Sequence, residues 1–457
     1  MKHRSIARFG RGLTLLALVL TTAGWGAPTP TTFVKPGSAE PGPDLPGEVK
    51  LVNLSHVFAH DPGGARAKGT DIEFYTSTVP VRDENGEIVR DELGEPVLVE
   101  KDFAVMGSYN RGAFVYDITD PENASLVRLI ACNQTQNDVQ IKSFPDAEGN
   151  DRWILALARD GSDLPCTGIS TSLMPSKGNS SGGGIAVFDI TDPWDPKPVY
   201  RFRVPSGAHN FTFHPTKPFG WVSNGDIVGL SGTGYRMTIP IIDFRNFDNP
   251  TFKEIDLLGS PHDITFSPDG NRAYVASENN HQIYDSTDPW NPVQVSVTPN
   301  GGTYSHGLDP TPDGKLMVAT NESLALGGFL VGGTAVCPGE GLTFYSIEGD
   351  REDTPVPVGQ YFANVAGRAP NRACTGHVGR IAPNSRVLVT GWYIGGVRVV
   401  DFSNPSVPVE VASAVLPGTE VWAAKFYKGP YIYAGDTLRG FDIYKWALKT
   451  PAPWEAP

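Results

Sequence analysis

Four histidines occupy the same position in four successive repeats of this sequence. The repeats begin with His209-Asn-Phe-Thr-Phe213, His262-Asp-Ile-Thr-Phe266, His306-Gly-Leu-Asp309 and His377-Val-Gly-Arg-Ile381. Because the chain has only nine histidines, four at one repeat position are hard to attribute to chance. Imidazole is the commonest protein metal ligand, and several converging neutral imidazoles suit zinc, copper or iron. The pattern therefore predicts a metal site with His209, His262, His306 and His377 as ligands.

Two carboxylates follow the second and third of these histidines at equal spacing. Glu278 and Glu322 each lie 16 residues after the histidine of their repeat. We expect them behind the ligands, each accepting the outer N–H of an imidazole and setting its tautomer. The other three repeats carry Thr70, Asn137 and Val421 at the histidine position, so the site would be lopsided, with His60 as an additional candidate. Aromatic or cationic side chains that could stack on a ligand near this face are Tyr109, Arg111, Trp392, Tyr393 and Trp422.

These residues are compatible with more than one class of function. Four histidines with open coordination positions suit redox chemistry on O₂ or a small substrate, which favours a metal-dependent oxidoreductase. The same histidines could instead be structural, with His262 binding a neighbouring backbone and Asp263 capping a turn, or could hold a polar organic ligand. In the structural reading the protein is a non-catalytic scaffold that binds a protein or glycan partner through its looped face.

The elements that must position the histidines are short β-strands in a repeating unit. Gly259–Pro292 with the following Val293–Val297 contains four runs of β-branched and aromatic residues separated by turn residues. Four such strands make one blade of a β-propeller. Seven units can be aligned, and the closest starts are 44 residues apart, inside the blade period of about 40–45 residues. Their first residues are Thr70, Asn137, His209, His262, His306, His377 and Val421.

The seventh unit ends after three strands, at Trp446, whereas Val49–Val57 is a strand pattern with no neighbour in sequence. We therefore expect Val49–Val57 to supply the missing fourth strand and close the ring, leaving no bare sheet edge. The prediction is an all-β, seven-bladed propeller of four-stranded blades over residues 49–450, preceded by a Pro-rich linker over residues 28–48.

Recurring motifs also indicate a family. The sequences Tyr116-Asp-Ile-Thr-Asp-Pro121 and Phe188-Asp-Ile-Thr-Asp-Pro193 resemble the LVIVD-repeat propellers, and Ser267-Pro-Asp-Gly-Asn-Arg-Ala-Tyr-Val-Ala276 resembles the related YVTN-type repeat. The resemblance covers about Phe103 to Trp446 and implies the fold rather than an activity. With a metal bound, the architecture would look like that of the carotenoid-cleavage oxygenases, or of the copper-dependent methanethiol oxidases of the selenium-binding family, although the sequence motifs of neither are found here.

The four cysteines lie on the side of the predicted propeller that carries the histidines. Long loops over Asp160–Gly183, Asn224–Tyr235 and Ser323–Gly341 crowd this face. In an exported chain the cysteines should pair locally, as Cys132–Cys166 and Cys337–Cys374, although three connectivities exist in principle. The competing interpretation is that Cys374 ligates a metal together with His377.

The N-terminus and the charge bound the location and the partners. A basic start followed by the apolar run Leu13–Leu20 predicts a secretory signal peptide over residues 1–27, too short for a membrane span. Its removal would take the net charge from −13 to −17. We therefore expect a secreted, periplasmic or cell-surface protein with no membrane span. So acidic a surface also argues against nucleic acid as a partner, leaving a small molecule or a surface partner.

Overall fold

The protein folds into a ring of antiparallel β-sheets. The computed structural model describes residues 49–64, 68–109, 111–133, 135–145, 149–162, 166–178, 182–205, 207–223, 237–277, 279–301, 304–322, 334–370 and 372–455. Seven sheets, each containing four antiparallel strands that pair side by side, form the blades. This confirms the predicted seven-bladed propeller. Helices in these ranges are single 3₁₀ turns at Pro121–Asn123, Gly349–Arg351 and Pro453–Glu455, and none is long and apolar enough to cross a membrane.

The strands are numbered along the chain, beginning with β1 (Lys50–Val52) and β2 (Leu54–His60). Blade 1 contains β3 (Ile72–Pro80), β4 (Leu98–Ser108), β5 (Gly112–Asp117) and β6 (Ser125–Ala131). Blade 2 contains β7 (Thr135–Pro145), β8 (Asp151–Ser162), β9 (Ser176–Lys177), β10 (Gly182–Asp189) and β11 (Lys197–Arg203), with β9 added beside β11. Blade 3 contains β12 (Asn210–Phe213), β13 (Phe219–Ser223), β14 (Thr238–Asp243) and β15 (Thr251–Asp256).

Blade 4 contains β16 (Pro261–Phe266), β17 (Arg272–Ser277), β18 (Asn280–Asp285) and β19 (Val293–Pro299). In blade 5, β20 (Tyr304–Pro310), β21 (Leu316–Glu322), β23 (Leu342–Ser346) and β24 (Val356–Tyr361) form the sheet, while β22 (Thr334–Cys337) pairs separately with β25 (Gly367–Pro370). Blade 6 contains β26 (Gly379–Ile381), β27 (Val387–Gly391), β28 (Val397–Asp401) and β29 (Val409–Val415). Blade 7 contains β30 (Val421–Phe426), β31 (Tyr431–Asp436) and β32 (Gly440–Trp446).

The N-terminal strand closes the ring, but it serves two blades. Strand β2 pairs with β32 as the fourth strand of blade 7, as predicted, whereas β1 pairs with β29 as a fifth strand of blade 6. The single strand expected over Val49–Val57 is thus divided at Asn53, and its second part continues to His60. Asn53 has a left-handed backbone, with φ 56°, and its side chain donates to the Val411 carbonyl at 2.7 Å. That conformation, which Asn tolerates well, moves the chain from one blade to the next.

The recurring Asp-Ile-Thr motif marks the end of the third strand in several blades. The aspartate side chain there accepts the backbone N–H two residues ahead, as in Asp117 with Thr119 and Asp189 with Thr191, both at 3.0 Å. This Asx turn offers the backbone a local partner in place of the next strand bond. The motif therefore ends the strand and directs the chain to the outermost strand of the blade.

The apolar core lies between neighbouring blades. Each sheet is covered on both faces, so its middle strands are continuous apolar runs, as in Ile154–Ala158, where every residue has zero exposure. Tyr75 and Phe103 of blade 1, for example, pack with Leu155 and Phe188 of blade 2. This packing leaves the seven innermost strands (β3, β7, β12, β16, β20, β26 and β30) to line a central channel with polar side chains.

Candidate functional site

The histidine position coincides with a β-bulge in several innermost strands. The pairing of β16 with β17 skips His262, and that of β20 with β21 skips His306. The same irregularity skips Asn137 in β7 and Trp422 in β30. A bulge adds one unpaired residue and re-aims its side chain, which is why bulges recur beside functional sites. In blades 4, 5 and 7 the skipped residue, His262, His306 or Trp422, is the one that lies at the mouth of the channel.

The four histidines form a continuous arc across blades 3 to 6. Ring centroids are 4.4 Å apart for His209 and His262, 4.2 Å for His262 and His306, and 4.1 Å for His306 and His377. The last three side chains are 2–3% exposed. The structure therefore brings all four predicted residues together, each ring in contact with the next.

Residues from the neighbouring blades continue the arc at both ends. On the blade 7 side, the Trp422 ring lies 4.4 Å from that of His377, edge on. On the blade 2 side, Gln136 Nε2 lies 3.3 Å from His209 Nε2. Sequence alignment had placed Asn137 and Val421 at these points, one residue away in each case. The bulges shift the register, so the side chains that reach the arc are Gln136 and Trp422.

Backbone carbonyls fix the orientation of two of the imidazoles. His262 Nδ1 lies 3.1 Å from the His306 carbonyl oxygen, and His377 Nδ1 lies 2.8 Å from that of Trp422. Since a carbonyl only accepts, both Nδ1 atoms must donate, and both Nε2 atoms of the neutral rings carry a lone pair. The ring nitrogens of His306 have no hydrogen-bond partner among the described residues.

Two ring nitrogens face each other at the blade 3 end of the histidine arc. His209 Nε2 lies 2.9 Å from His262 Nε2, and the latter carries a lone pair. The Gln136 amide nitrogen also points at His209 Nε2, while donating to Asn210 Oδ1 at 2.8 Å. The Gln136 amide has a second acceptor, the His209 carbonyl oxygen, also at 3.3 Å, so a neutral His209 with its hydrogen on Nε2 would donate to the His262 lone pair. In the other tautomer both Nε2 atoms present lone pairs, and a metal ion could bind between them.

Glu322 joins the cluster from the end of β21. One ligand atom each of His262, His306 and Glu322 lies within 4.8 Å of the others, so these three residues could hold a metal ion. Glu322 Oε1 accepts from the Tyr393 hydroxyl at 2.8 Å and lies 4.0 Å from His377 Nε2. The arrangement differs from the expected one, because carbonyl oxygens receive the Nδ1 hydrogens and Glu322 faces the imidazoles directly. Glu278, the other carboxylate of the prediction, lies outside the described residues.

Burial favours the uncharged forms of His262, His306, His377 and Glu322. Desolvation lowers the pKa of His377 to about 3. The pKa values of His262 and His306 are likewise lowered well below 6.5, mainly by burial and then by the neighbouring imidazoles. Burial raises the pKa of Glu322, against the hydrogen bond from Tyr393, which lowers it. Neutral imidazoles are the form that binds metal.

Unusual backbone conformations concentrate at this site. Besides Asn53, the non-glycine residues with positive φ in the described ranges are Gln136 (73°), Asn137 (55°) and Tyr393 (42°). Each such conformation costs on the order of 1–3 kcal/mol, and they tend to persist at functional sites. Gln136 and Tyr393 use theirs to reach His209 and Glu322. These roles could not be predicted from the sequence, because no sequence pattern indicates a left-handed backbone at Gln or Tyr.

Of the other residues singled out in the sequence, Tyr109 lies beside the arc: its hydroxyl donates to Gln136 Oε1 at 3.2 Å, and its ring centroid is 5.5 Å from that of Trp422. His60, Trp392 and Arg111 lie elsewhere. The His60 ring contacts Tyr116, with Nδ1 at 2.9 Å from its hydroxyl, and does not reach the arc. Trp392 is buried and donates to the Pro338 carbonyl at 2.8 Å. Arg111 donates to the Pro62 carbonyl at 2.6 Å. Of the predicted long loops, residues 163–165, 179–181, 224–236 and 323–333 lie outside the described part of the chain.

The two predicted disulfides are confirmed. Cys132 is bonded to Cys166, and Cys337 to Cys374. The alternative in which Cys374 ligates a metal is therefore wrong, because a sulfur in a disulfide is no longer a ligand. The second bridge fastens the β22 ribbon to the segment that leads into His377.

Fold and site together define a seven-bladed β-propeller with two disulfides and a histidine–glutamate cluster at one mouth of its channel. No protein-family model matches the chain, and no curated protein matches it. Among solved structures, it is similar to the β-propeller domain of Cps50 (Swd1) from Myceliophteria thermophila, at 10% identity, with a TM-score of 0.48 and coverage of 76% of this chain and 94% of that one. It is also similar to a functionally unknown protein from Desulfotomaculum acetoxidans, at 15% identity, with a TM-score of 0.46 and coverage of 69% and 86%. Likenesses this distant carry no functional information.

Proposed function

We propose that this chain is an exported propeller that binds one transition-metal ion, with His209, His262, His306 and His377 as nitrogen ligands and Glu322 beside them. The observation that carries the proposal is the pair of opposed nitrogens, His209 Nε2 and His262 Nε2, at 2.9 Å. Two nitrogens bound to one tetrahedral ion at about 2.0–2.1 Å are separated by roughly 3.3 Å, so the two imidazoles would need to move apart by only about 0.4 Å.

The remaining ligand candidates support the same interpretation. His306 lines a cavity of the central channel, and its ring nitrogens make no hydrogen bond with the described residues, so one of them is available to a ligand. The Nδ1 bond of His262 to its neighbour's backbone, which a purely structural role would require, occupies only one side of the ring. A structural role for Nδ1 and a ligand role for Nε2 are therefore compatible in the same residue.

We further propose that the protein, with its metal ion bound, is an oxidoreductase. Imidazole-rich sites with a nearby carboxylate suit copper, iron or zinc, and a copper or iron ion would supply one-electron chemistry on O₂ or a small substrate. The chain's own residues would orient the ion: backbone carbonyls hold the rings of His262 and His377, and Tyr393 holds Glu322. The two disulfides and the basic, apolar N-terminus support export, and the repeat motifs support membership of the LVIVD or YVTN-type propellers.

Metal stoichiometry of the purified protein tests the proposal. We expect about one transition-metal ion per chain in the wild type and none in a His262→Ala, His306→Ala double variant that keeps its thermal stability. The matched control is His60→Ala, because His60 lies outside the arc and its replacement should leave the metal content unchanged. A folded wild-type protein that stays metal-free after incubation with Cu²⁺, Zn²⁺ or Fe²⁺ would refute the proposal and leave a non-catalytic scaffold that binds a protein or glycan.

A further inference from the structure

The central channel leads from the histidine cluster to the opposite face of the propeller. A cavity of about 340 Å³ occupies it. His306, His377 and Trp422 line its inner end. Exposed prolines from the turns of the opposite face line its outer end, namely Pro215, Pro268 and Pro312. The histidines can therefore be reached from that face, without passing the long loops on their own side.

Part of the charge in the channel wall is internally balanced. Lys425 of blade 7 pairs with Asp71 and with Glu73 of blade 1, both at 2.7 Å. Arg380 of blade 6 also pairs with Glu73, at 2.7 Å. These two cations and two carboxylates neutralise one another on one side of the channel.

Three further carboxyl groups of the channel wall form no ion pair with the described residues. Asp138, Asp263 and Asp309 line the cavity from blades 2, 4 and 5, and no lysine or arginine of the described residues lies within ion-pair distance of them. Their partners are neutral: Asp138 accepts the Phe211 N–H at 3.1 Å, and Asp263 accepts its neighbour's N–H at 2.8 Å. The channel wall therefore contains more carboxyl groups than lysine and arginine side chains to balance them.

The positions of these carboxyl groups along their strands give the order in which an ion entering from the open face would meet them. Burial raises the pKa of Asp309 to about 7, and it raises that of Asp138 as well. A cation that approaches such a group stabilises its carboxylate form and displaces its proton. Asp309 lies three residues past its blade's histidine and Asp263 one, so Asp309 is closer to the open face. The line of carboxyl groups ends at the unpartnered imidazole of His306.

We propose that this channel is the route by which a divalent transition-metal ion reaches the histidines, passing from Asp309 to Asp263 and Asp138. The proposal rests on the proposed function, since it supplies the same cluster. Clefts lined by one sign of charge raise the local concentration of the opposite ion and increase association rates by about 10–10³-fold. The channel carboxyl groups should therefore control how fast the ion arrives, while the imidazoles control how tightly it is held.

Cobalt(II) uptake by metal-stripped protein, with both disulfides intact, separates rate from occupancy. We expect an Asp138→Asn, Asp309→Asn variant to take up Co²⁺ at least about tenfold more slowly than the wild type, yet to reach the same final stoichiometry. Asparagine keeps the oxygen that accepts the backbone N–H, so the fold should be retained, and thermal denaturation checks this. Asp195→Asn is the control, because it removes the same charge from an exposed side chain, 62% accessible.

A steric pair of variants tests the same route without changing charge. Thr212 lines the channel and donates to the Ile264 carbonyl at 2.7 Å. Thr212→Phe should slow uptake because it narrows the channel, whereas Thr212→Val removes the hydrogen bond but not the space and should load at the wild-type rate. If the wild type takes up Co²⁺, and the asparagine double variant and Thr212→Phe both take it up as fast as the wild type, the route is refuted while the proposed function stands. If the wild type takes up no Co²⁺ at its histidines, the route and the proposed function are both refuted.

Discussion

At the scale of single residues, two of the buried imidazoles in the arc use their two nitrogens for separate tasks. In His262 and His377, Nδ1 is bonded to the backbone of the next blade, which orients the ring and ties the blades together. Nε2 is left facing the other imidazoles. The same division is common in metal sites, where the outer bond sets the tautomer and raises the basicity of the ligand nitrogen.

The hydroxyl of Tyr393 should matter to metal affinity although it is not a ligand. It donates to the buried Glu322 carboxylate at 2.8 Å, a bond that lowers the pKa of Glu322. In Tyr393→Phe that pKa should rise further, and metal affinity should fall by about 10–100-fold, the usual cost of losing such a partner. Chelator competition measures this. Tyr345→Phe, a buried tyrosine of β23, is the control, and an equal loss there would contradict the interpretation.

Asp309 should make stability depend on pH in a specific direction. Its pKa in the folded protein is about 7, raised chiefly by burial and by Asp263, against Lys425 and Arg380, which lower it. The folded state therefore holds a proton that the unfolded state loses near pH 4, and stability falls as the pH rises between these values. Asp309→Asn does not titrate, so its advantage over the wild type should grow from pH 4 to pH 8, by up to about 4 kcal/mol.

Denaturant unfolding of the wild type and Asp309→Asn at pH 4 and pH 8 measures this difference in unfolding free energy, and the control variant is compared with the wild type at pH 3 and pH 8. The control is Asp313→Asn, because the pKa of Asp313 is lowered in the folded protein despite partial burial, through Thr311 and Arg386. Its carboxylate stabilises the fold above the unfolded pKa, so its replacement should cost more at pH 8 than at pH 3. Equal effects of pH on both variants would contradict the assigned environments.

At the scale of elements, the repeat pattern predicted the strands well because each blade uses the same local chemistry. Alternating β-branched residues, the Asx turn after Asp189 and its equivalents, and the glycine of Ser267–Gly270, with φ 75° at Gly270, all act within a few residues. The bulges could not be predicted in this way. They depend on pairing between strands, and they decide that Trp422 and not Val421 reaches the arc.

The disulfide between Cys337 and Cys374 should hold the segment leading into His377. The bridge closes a loop with a sequence separation of 37, for which chain entropy gives a stabilisation of roughly 2–4 kcal/mol. Replacing both cysteines by alanine should lower the unfolding free energy by that amount and increase the rate of metal release. The Cys132→Ala, Cys166→Ala variant is the comparison, because that bridge belongs to blade 2, which carries no histidine of the arc, whereas Cys374 lies three residues before His377. Equal release rates in both variants would contradict a role for the second bridge at the site.

At the scale of the whole molecule, the ring depends on the first described strands. Strand β2 joins β32 and β1 joins β29, so removing residues 49–60 would bare the edges of two blades. A chain that begins at Asp61 should unfold at a lower temperature and associate through those edges, whereas one that begins at Val49 should remain monodisperse. Thermal denaturation and light scattering distinguish them, and equal stability would refute closure by these strands.

The whole architecture was predictable because the repeat period and the missing fourth strand of blade 7 are visible in sequence. The convergence of four histidines follows from the same alignment. The roles of Gln136, Tyr393 and Glu322 were not predictable, because they depend on left-handed backbone at the first two and on the direction in which Glu322 approaches. The acidic channel was also missed, since its carboxyl groups become neighbours only when the ring is closed.

The first coordination shell of the bound metal tests the central claim most directly. X-ray absorption of the metal-loaded wild-type protein should show imidazole scattering from at least three histidines and one oxygen ligand. In the His262→Ala, His306→Ala variant that imidazole signal should be lost. A bound metal surrounded only by oxygen, or a wild-type spectrum that the double variant reproduces, would contradict a metal site at the histidine arc.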